Sequence, residues 1–385
     1  MVGTPIAHNL RRLRSYRGLT QANLAAAADL SIQAYRNLEA ARSQPHTSSL
    51  MALAQALEVS VGELLEEAPG VPRVRFRAQK KLKAREQILV ELARWLRDFR
   101  ELEELLDDHR TYSLRRVATA PGKKPPGPDR ARAAASRVRQ AFALGPHEPV
   151  RDVCGLLEAN GIKVRTIRLH NEGFFGLSVG PEDGGPAVVV NTWERISVER
   201  WIYSAAHELG HLILHLAAYD PAMEAEDREE EREADVFAAH LLMPDDAFQA
   251  KWEETRGLHI VDRVLRVKRV FGVSYKTVLH RIIEESGDND LWRRFKNFYR
   301  ERTGQTLPHH FEPEGLSGEL FEPYGPEPYG SNEPKKLIDA DFAETRLSRL
   351  VREAVEQAAI TLSRAAEILR LPLADMRNLA RAWVG

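Results

Sequence analysis

Two histidines and a glutamate occur together at a spacing that suits metal-assisted hydrolysis. In the segment His207-Glu208-Leu209-Gly210-His211 the two histidines are four residues apart. On a helix this spacing puts both imidazoles on one face, one turn apart, where they can bind one zinc ion. Zinc lowers the pKa of a bound water to about 7, and Glu208 falls near the same face, where it can take the proton. The segment therefore predicts a hydrolytic metal site.

An acidic helix, predicted over residues 229–242, is the best source of a third ligand, which catalytic zinc usually takes from the protein. On this helix Glu231 shares a face with Ala234 and Ala238. Small residues on that face let the helix pack close to the metal helix. We therefore favour Glu231 as the third ligand, and Glu233 is the alternative.

Other polar residues near these two helices have supporting roles in the prediction. His215 lies two turns from His207, too far to share one ion, so we expect it to support the site or to pack beside it. Asp235, one turn after Glu231, could orient a histidine ligand through its free N–H. The candidates for stabilising an oxyanion are Tyr203, His240 and His259.

The composition restricts where the protein can work in the cell and which residues can bind a metal. The 385 residues are too many for one core, so two or three domains are expected. The single cysteine, Cys154, excludes an intrachain disulfide, so a metal site must use histidines and carboxylates. We find no signal peptide and no apolar stretch of about 18 residues. These observations favour a cytoplasmic protein with no membrane partner.

A second motif near the N-terminus predicts DNA binding. Thr20 and Ser31 are good N-caps for two short consecutive helices. A close helix pair of this kind can place its second helix in the major groove of double-stranded operator DNA. The residues predicted to contact DNA are Gln21, Ser31, Gln33, Tyr35, Arg36 and Asn37.

The periodicity along the chain predicts a mainly α fold with a small β-sheet, the α+β class. The strands are expected at residues 162–167, 174–179 and 187–191. The predicted organisation, in chain order, is a helix-turn-helix domain at 1–68, a long amphipathic connecting helix at 73–118, a metal domain at 131–284 and a helical C-terminal region at 285–385. Within it, residues 120–129 read as a linker and residues 307–334 as an irregular Pro/Gly-rich segment.

Two weaker signals remain. A basic run over residues 73–85 is either a solvated helix face or an additional phosphate contact. Residues 360–383 form another short helix-turn-helix pattern. Because helical hairpins are common, we favour packing or partner contact over a second DNA-reading function there.

The metal-site region resembles the ImmA/IrrE metallopeptidases over residues 131–284. The resemblance rests on His207 to His215, Glu231 through Leu241-Leu242-Met243-Pro244, Gly173 to Ser178, Ala187 to Asn191, and Val270 to Ser274 with Leu279 and Arg281. It implies a zincin-like fold, zinc ligands His207, His211 and Glu231, and Glu208 as general base. It also implies cleavage of one repressor or antitoxin protein, which regulates genes in a stress or mobile-element response. Manganese is the alternative metal.

The N-terminal region resembles Cro/repressor-type (XRE) helix-turn-helix domains over residues 10–65. Asp29 and Ala41 stand where glycine is usual, and Ala tolerates a left-handed backbone poorly. Such domains often dimerise, so a homodimer is a further expectation. The alternative is a five-helix protein-interaction module that no longer binds DNA.

Two other functions compete with the protease. One is a DNA-binding transcriptional regulator whose metal domain senses a signal without proteolysis. The other is an interaction scaffold of a toxin–antitoxin or phage-defence locus. The complete set of His207, Glu208, His211 and Glu231 favours the enzyme, because sensing alone does not require Glu208.

Overall fold

A computed structural model describes residues 5–65, 74–78, 85–119, 125–171, 173–216, 228–308, 310–316 and 334–384. The chain forms two compact units. An N-terminal unit comprises Met1–Pro72 and Lys80–Glu101, and a larger unit comprises Arg73–Gln79 and Leu102–Gly385. Among the described residues no helix has the length and apolar character needed to cross a bilayer. Helices dominate both units and a small sheet lies in the larger one, which confirms the predicted α+β class.

Five short helices form the core of the N-terminal unit. Their bounds are α1 Pro5–Tyr16, α2 Gln21–Ala27, α3 Ile32–Glu39, α4 Thr47–Ala56 and α5 Val61–Leu65. Thr20 Oγ1 accepts the Asn23 N–H at 3.1 Å and caps α2, as the sequence predicts. Asp29 and Ala41 both adopt the left-handed backbone, with φ of 52° and 56°. Both turns therefore form with the left-handed backbone that usually requires glycine, although neither position is a glycine.

The prediction that Tyr35 contacts DNA is wrong. Its side chain is fully buried in the core of the N-terminal unit, on the same face of α3 as Leu38. Three residues separate the two, so helical periodicity turns both inward. Tyr35 is therefore removed from the face predicted to read DNA. Burial raises the pKa of its phenol, and the Glu39 carboxylate raises it further.

The region predicted as one connecting helix over 73–118 contains a strand and two helices instead. Strand β1 spans Val74–Ala78, helix α6 spans Arg85–Leu106 and helix α7 spans Arg115–Thr119. The alternation Val-Arg-Phe-Arg-Ala over β1 is a period-two pattern, which the run of basic residues obscured. Most of the basic run, including Arg73, Lys80, Lys81 and Lys83, lies outside the described residues.

Four strands form the sheet of the larger unit, in the order β1-β3-β4-β2. Beyond β1 they are β2 Lys163–Ile167, β3 Phe174–Val179 and β4 Ala187–Asn191, close to the three predicted strands. β1 and β4 pair antiparallel with β3, and β2 pairs parallel with β4. Every residue of β4 is buried, which explains its continuous apolar run.

The remaining described helices also belong to the larger unit. They are α8 Pro128–Ala141, α9 Val153–Ala159, α10 Val198–Leu214, α11 Arg228–Leu242, α12 Asp245–Glu254, α13 Ile260–Phe271, α14 Tyr275–Ser286, α15 Leu291–Thr303, α16 Arg346–Glu356, α17 Leu362–Leu369 and α18 Leu373–Val384. Phe295 and Phe342 belong to the same hydrophobic core as Leu209 and Val190. The described structure therefore has no core boundary at residue 285. Residues 317–333 of the predicted irregular segment lie outside the described residues.

Candidate metal centre

Helix α10 carries the histidine pair in the interior of the larger unit. Its apolar residues pack against β3 and β4, which explains why almost the whole helix is buried. His207, Glu208 and His211 are each at most 1% exposed. Because α10 continues unbroken to Leu214, the two histidines keep the one-turn spacing predicted from the sequence.

Helix α11 approaches α10 closely at Gly210. A Cβ atom at Gly210 would lie 3.0 Å from the Phe237 ring and 3.2 Å from Ala234 Cα. The absence of a side chain at Gly210 and the small Ala234 therefore allow the two helices to pack tightly. This packing is the reason that Glu231, one turn before Asp235, faces the histidines of α10.

Two imidazole nitrogens and one carboxylate meet at this contact. His207 Nε2 lies 3.0 Å from His211 Nε2. Glu231 contributes one oxygen to each ring, at 3.2 Å from His207 Nε2 and 3.1 Å from His211 Nε2. Among the described residues, these three form a group whose ligand atoms all lie within 4.8 Å of one another. They could hold one metal ion.

The outer nitrogen of His207 is held by Asp235. His207 Nδ1 lies 2.9 Å from Asp235 Oδ1, so an Nδ1–H group donates to the carboxylate and leaves Nε2 for a ligand. The Tyr203 hydroxyl lies 3.1 Å from the Asp235 carbonyl oxygen and 3.3 Å from Oδ1. Asp235 therefore occupies the orienting position that the sequence suggests.

The Nδ1 atom of His211, which points away from Glu231, is the first of a longer series of buried polar contacts. His211 Nδ1 lies 2.9 Å from His215 Nδ1, and His215 Nε2 lies 2.9 Å from Glu233 Oε2. Arg130 forms an ion pair with Glu233, and the Gly127 N–H also donates to that carboxylate. Glu233, the alternative third ligand, therefore contacts His215 and Arg130 rather than joining the histidine pair.

Arg130 and Gly127 are contributions that the sequence did not reveal. Gly127 lies in the Pro/Gly-rich stretch predicted as a linker, and Arg130 lies in the first turn of α8. Both reach Glu233 across more than 100 positions of sequence. No local pattern marks such a pairing, although a buried carboxylate always requires a partner.

The charges of the centre depend on these contacts. Burial raises the pKa of Glu231, but the hydrogen bonds and charges of His207 and His211 outweigh it and hold that pKa far below its usual range. For Glu233, burial also raises the pKa, and the Arg130 guanidinium and the Gly127 N–H bring it below the ordinary value. Both carboxylates are therefore ionised at neutral pH.

Glu208 is positioned by the sheet. A Cβ atom at Gly176 of β3 would lie 3.2 Å from both Cγ and Oε1 of Glu208, and 2.9 Å from the Val189 carbonyl oxygen. Any larger residue at position 176 would therefore displace the glutamate or the neighbouring strand. Gly176 lies in the Gly-Phe-Phe-Gly segment of the resemblance, and this contact gives that glycine a physical reason.

A cleft of about 700 Å³ opens beside the centre. Tyr203 and Asp235, which contact each other, form part of its wall, and Asp235 also contacts His207. His280 also lines the cleft, and its pKa is lowered by burial and by Arg200, against the opposing charge of Asp235. At neutral pH His280 is an uncharged hydrogen-bond donor.

The other two oxyanion candidates lie elsewhere. His240 is buried between Arg281 and Asp245, with Nδ1 2.8 Å from Asp245 Oδ1. His259 caps α13, where its Nδ1 accepts the Val261 N–H. Of the three candidates only Tyr203 lines the cleft, and the sequence analysis missed His280.

The predicted DNA contacts other than Tyr35 lie on or beside an accessible face of α3. Ser31, Gln33 and Arg36 are exposed, and Asn37 is half-buried. Ser31 Oγ accepts the Ala34 N–H, so this residue is also the N-cap of α3. Gln21 receives a hydrogen bond from Arg36 and donates one to Glu39, so it links α2 to α3.

Comparison with protein families matches both regions. Residues 5–68 match a helix-turn-helix domain, and residues 157–282 match the IrrE N-terminal-like domain of the peptidase M78 family. Together the two matches agree with the ImmA/IrrE architecture. No curated protein matches the chain in sequence. The IrrE-like match includes α10, α11 and the sheet strands β2 to β4, so the matched region contains the histidine pair and Glu231. It supports a hydrolase of the metallopeptidase type, and the N-terminal match supports DNA binding.

Proposed function

We propose that this chain is a zinc-dependent, site-specific endopeptidase that cleaves a repressor or antitoxin protein and so regulates transcription in a stress or mobile-element response. Binding of the N-terminal helix-turn-helix unit to operator DNA would bring the protease to its target. The observation that carries the proposal is the meeting of His207, His211 and Glu231 beside the buried Glu208.

The donor set fits zinc. Two neutral imidazole nitrogens and one carboxylate are a usual protein ligand set for a catalytic zinc ion, which keeps a further position for water. The Nδ1 contacts of His207 with Asp235 and of His211 with His215 leave both Nε2 atoms for the metal. Manganese, the alternative metal, prefers more oxygen ligands than this group supplies.

Glu208 supplies the acid–base chemistry in this proposal. When bound, zinc makes a water molecule nucleophilic near neutral pH and polarises the scissile carbonyl. Glu208 takes the proton of the attacking water and delivers it to the leaving amine nitrogen. The absence of a side chain at Gly176 leaves room for this carboxylate beside β3. A sensor without hydrolysis would not require this buried base.

Tyr203 and His280 are the candidates for stabilising the oxyanion. Both line the cleft, and the Tyr203 hydroxyl lies within hydrogen-bond distance of Asp235. Each can donate a hydrogen bond without carrying a charge at neutral pH. Removing one such donor usually costs about 10²–10³-fold in kcat, so Tyr203→Phe and His280→Ala would each be expected to lower turnover to this extent.

The cleft favours an acidic segment of the substrate protein. Its wall has more basic than acidic side chains: Arg132, Arg195, Arg200, Arg232, Lys276 and Arg281, against Asp235, Glu284 and Glu312. Arg132 and Glu284 form an ion pair, and Arg281 also contacts Glu284. The excess of basic over acidic side chains in this wall would attract carboxylates of an extended peptide beside the centre.

The test compares new protein N-termini in cells that carry the native chain or Glu208→Ala, before and after stress. We expect one or a few fragments of a repressor-type protein only where Glu208 is intact. Glu229 is an exposed residue of the acidic run at the start of α11. The Glu229→Ala variant is the matched control and should cleave the substrate normally.

The purified variants separate catalysis from metal binding. Glu208→Ala should keep the metal and lose at least about 10²-fold in cleavage rate of the identified protein. Identical N-terminal profiles under every stress would contradict the protease. Metal-dependent operator binding by Glu208→Ala would then support the regulator that senses a signal without proteolysis.

A further inference from the structure

Helices α17 and α18 repeat the geometry of the helix pair α2 and α3 in the N-terminal unit. Thr361 caps α17 by accepting the Arg364 N–H at 3.2 Å, as Thr20 caps α2. Nine residues after each threonine the chain turns through a left-handed residue. That residue is Asp29, with φ of 52°, in the first pair and Arg370, with φ of 58°, in the second.

The backbone hydrogen bonds of the two turns also correspond position by position. The Leu30 N–H donates to the Ala25 carbonyl at 2.9 Å, and the Leu371 N–H donates to the Ala366 carbonyl at the same distance. In each pair, the first backbone hydrogen bond of the second helix also corresponds. It runs from an N–H to the carbonyl oxygen four residues earlier, just before that helix begins, and is 3.0 Å long. These bonds are Tyr35 N to Ser31 O and Met376 N to Pro372 O.

Side chains follow the same register. Tyr35 and Met376 occupy equivalent positions, and both are fully buried. The next three residues are Arg36-Asn37-Leu38 in α3 and Arg377-Asn378-Leu379 in α18, so one tripeptide recurs at the same place. In α3 this tripeptide contains two residues predicted to contact DNA. Helix α18 is therefore the structural counterpart of the helix that carries the predicted DNA-reading face.

The exposed face of α18 has the chemistry that double-stranded DNA requires. Arg377, Asn378 and Arg381 are exposed. Arginine can bind the guanine edge or a phosphate, and asparagine can bind the adenine edge in the major groove. Residues 361–384 contain four arginines and two acidic residues, so the segment is locally basic although the whole chain has a net charge of −1.

Helix α16 fixes this helix pair to the larger unit. The backbone N–H of Arg346 donates to the buried Glu158 carboxylate, and the Arg346 guanidinium pairs with Glu103. Helices α16 and α17 are in contact, and Ala365 and Ile368 of α17 are buried. Arg352 of α16 donates to the Trp383 carbonyl, while Arg377, Asn378 and Arg381 of α18 stay exposed.

We propose that residues 361–384 form a second binding element for double-stranded DNA, with α18 in the major groove and Arg377, Asn378 and Arg381 as its contacts. Leu379 is 36% exposed, whereas its counterpart Leu38 is 6% exposed, and an exposed apolar residue on such a helix can contact a thymine methyl group. A protein with two DNA-binding elements can bind two separated sites or one extended site.

The test uses the full chain with Gln33→Ala/Arg36→Ala, which removes two exposed side chains of α3 that are predicted to contact DNA. A pool of random-sequence double-stranded DNA is selected against this chain and sequenced, and binding is measured by fluorescence anisotropy at increasing KCl. We expect an enriched motif that disappears when Arg377→Ala/Arg381→Ala is added. The slope of log K against log salt should fall by about 2, since each lost phosphate contact contributes about 0.9.

Arg293→Ala/Arg300→Ala is the matched control, because it removes the same charge from exposed positions of α15. It should leave the motif and the slope unchanged, and thermal melting should show that all variants are folded. Failure of the Gln33→Ala/Arg36→Ala chain to bind the pool would overturn the proposal. An unchanged slope for Arg377→Ala/Arg381→Ala would also overturn it, and a changed molecular mass by light scattering would then identify α18 as a self-association surface.

Discussion

The candidate metal centre and the predicted DNA-reading face of the N-terminal unit use polar residues in opposite ways. At the centre each histidine is buried, and its outer nitrogen contacts a further polar side chain, Asp235 or His215. On α3 the predicted contacts Gln33 and Arg36 are exposed. A buried polar group needs a specific partner, whereas an exposed one is satisfied by water. Substitutions should therefore have large, specific effects at the centre and small effects on stability at the surface.

The largest expected effect of this difference is loss of the metal. Glu231→Gln removes the ionised ligand that faces both histidines, so the zinc content of the purified, dialysed chain should fall from about one ion per chain to nearly none. Elemental analysis measures this ratio. Glu229→Gln, in the exposed start of α11, should retain the metal. Equal zinc content in the two variants would show that Glu231 is not a ligand.

The next effect is on stability, and it compares a buried ion pair at the centre with an exposed ion pair of the N-terminal unit. Arg130→Met leaves the Glu233 carboxylate buried without its guanidinium, which should lower the free energy of unfolding by about 3 kcal/mol. Arg17→Met breaks an exposed pair with Glu58, whose side chain is 74% exposed, and should cost less than about 1 kcal/mol. Urea unfolding of both variants gives the two values. Similar losses would remove the distinction between the regions.

Outer contacts of the ligands should affect metal affinity more than stability. Asp235→Asn keeps the size of the side chain but removes the charge that orients His207. Loss of such a contact usually weakens metal binding about 10- to 100-fold. Competition with a chromophoric chelator measures the affinity. Arg36→Ala in the N-terminal unit is the control, and a shift of equal size there would indicate a general effect on folding.

The smallest expected effects concern pH, and they have opposite signs in the two units. Burial, with a further contribution from the Glu199 charge, raises the pKa of Glu312 to about 7 against the opposing charge of Lys268. The folded state then binds more protons than the unfolded state between about pH 4.5 and 7, so stability falls as pH rises through this range. Between pH 5 and 8 the free energy of unfolding should fall by up to about 2 kcal/mol through this group, and Glu312→Gln should remove that fall.

Glu39 in the N-terminal unit has the opposite behaviour. Burial raises its pKa, but Arg14 outweighs burial and brings the pKa below the ordinary value. The stability that it contributes is present above about pH 4.5 and is lost as pH falls toward the lowered pKa. Glu39→Gln should therefore weaken the acid dependence of the N-terminal unit. Thermal melting across pH 3 to 8 measures both variants, and the same sign for both would contradict these assignments.

The sequence predicted what local geometry determines. The histidine spacing on one helix and the small-residue face of α11 follow from the helical period of 3.6, and the strands β2 to β4 follow from short apolar segments bounded by turn residues. These features needed no knowledge of distant residues. The orienting position of Asp235 followed from the same helical period.

Long-range contacts account for most of what the sequence did not predict. β1 pairs with β3 about 100 residues later, and Arg130 reaches Glu233 over a similar separation. Tyr35 was assigned to the wrong face because an amphipathic aromatic residue suits both the surface and the core. The recurrence of Arg-Asn-Leu became informative only once the left-handed turns at Asp29 and Arg370 aligned the two helix pairs.

The passage of the chain between the two units limits how this protein can be divided or recombined. The chain contributes Met1–Pro72 to the first unit, then β1 to the sheet of the second, then Lys80–Glu101 to the first again. A deletion that removes the first hundred residues would therefore also remove β1 and leave the backbone of β3 as an open edge. Open edges pair readily with other chains, so such a fragment would be prone to aggregate. The helix-turn-helix unit is not an exchangeable cassette in this architecture.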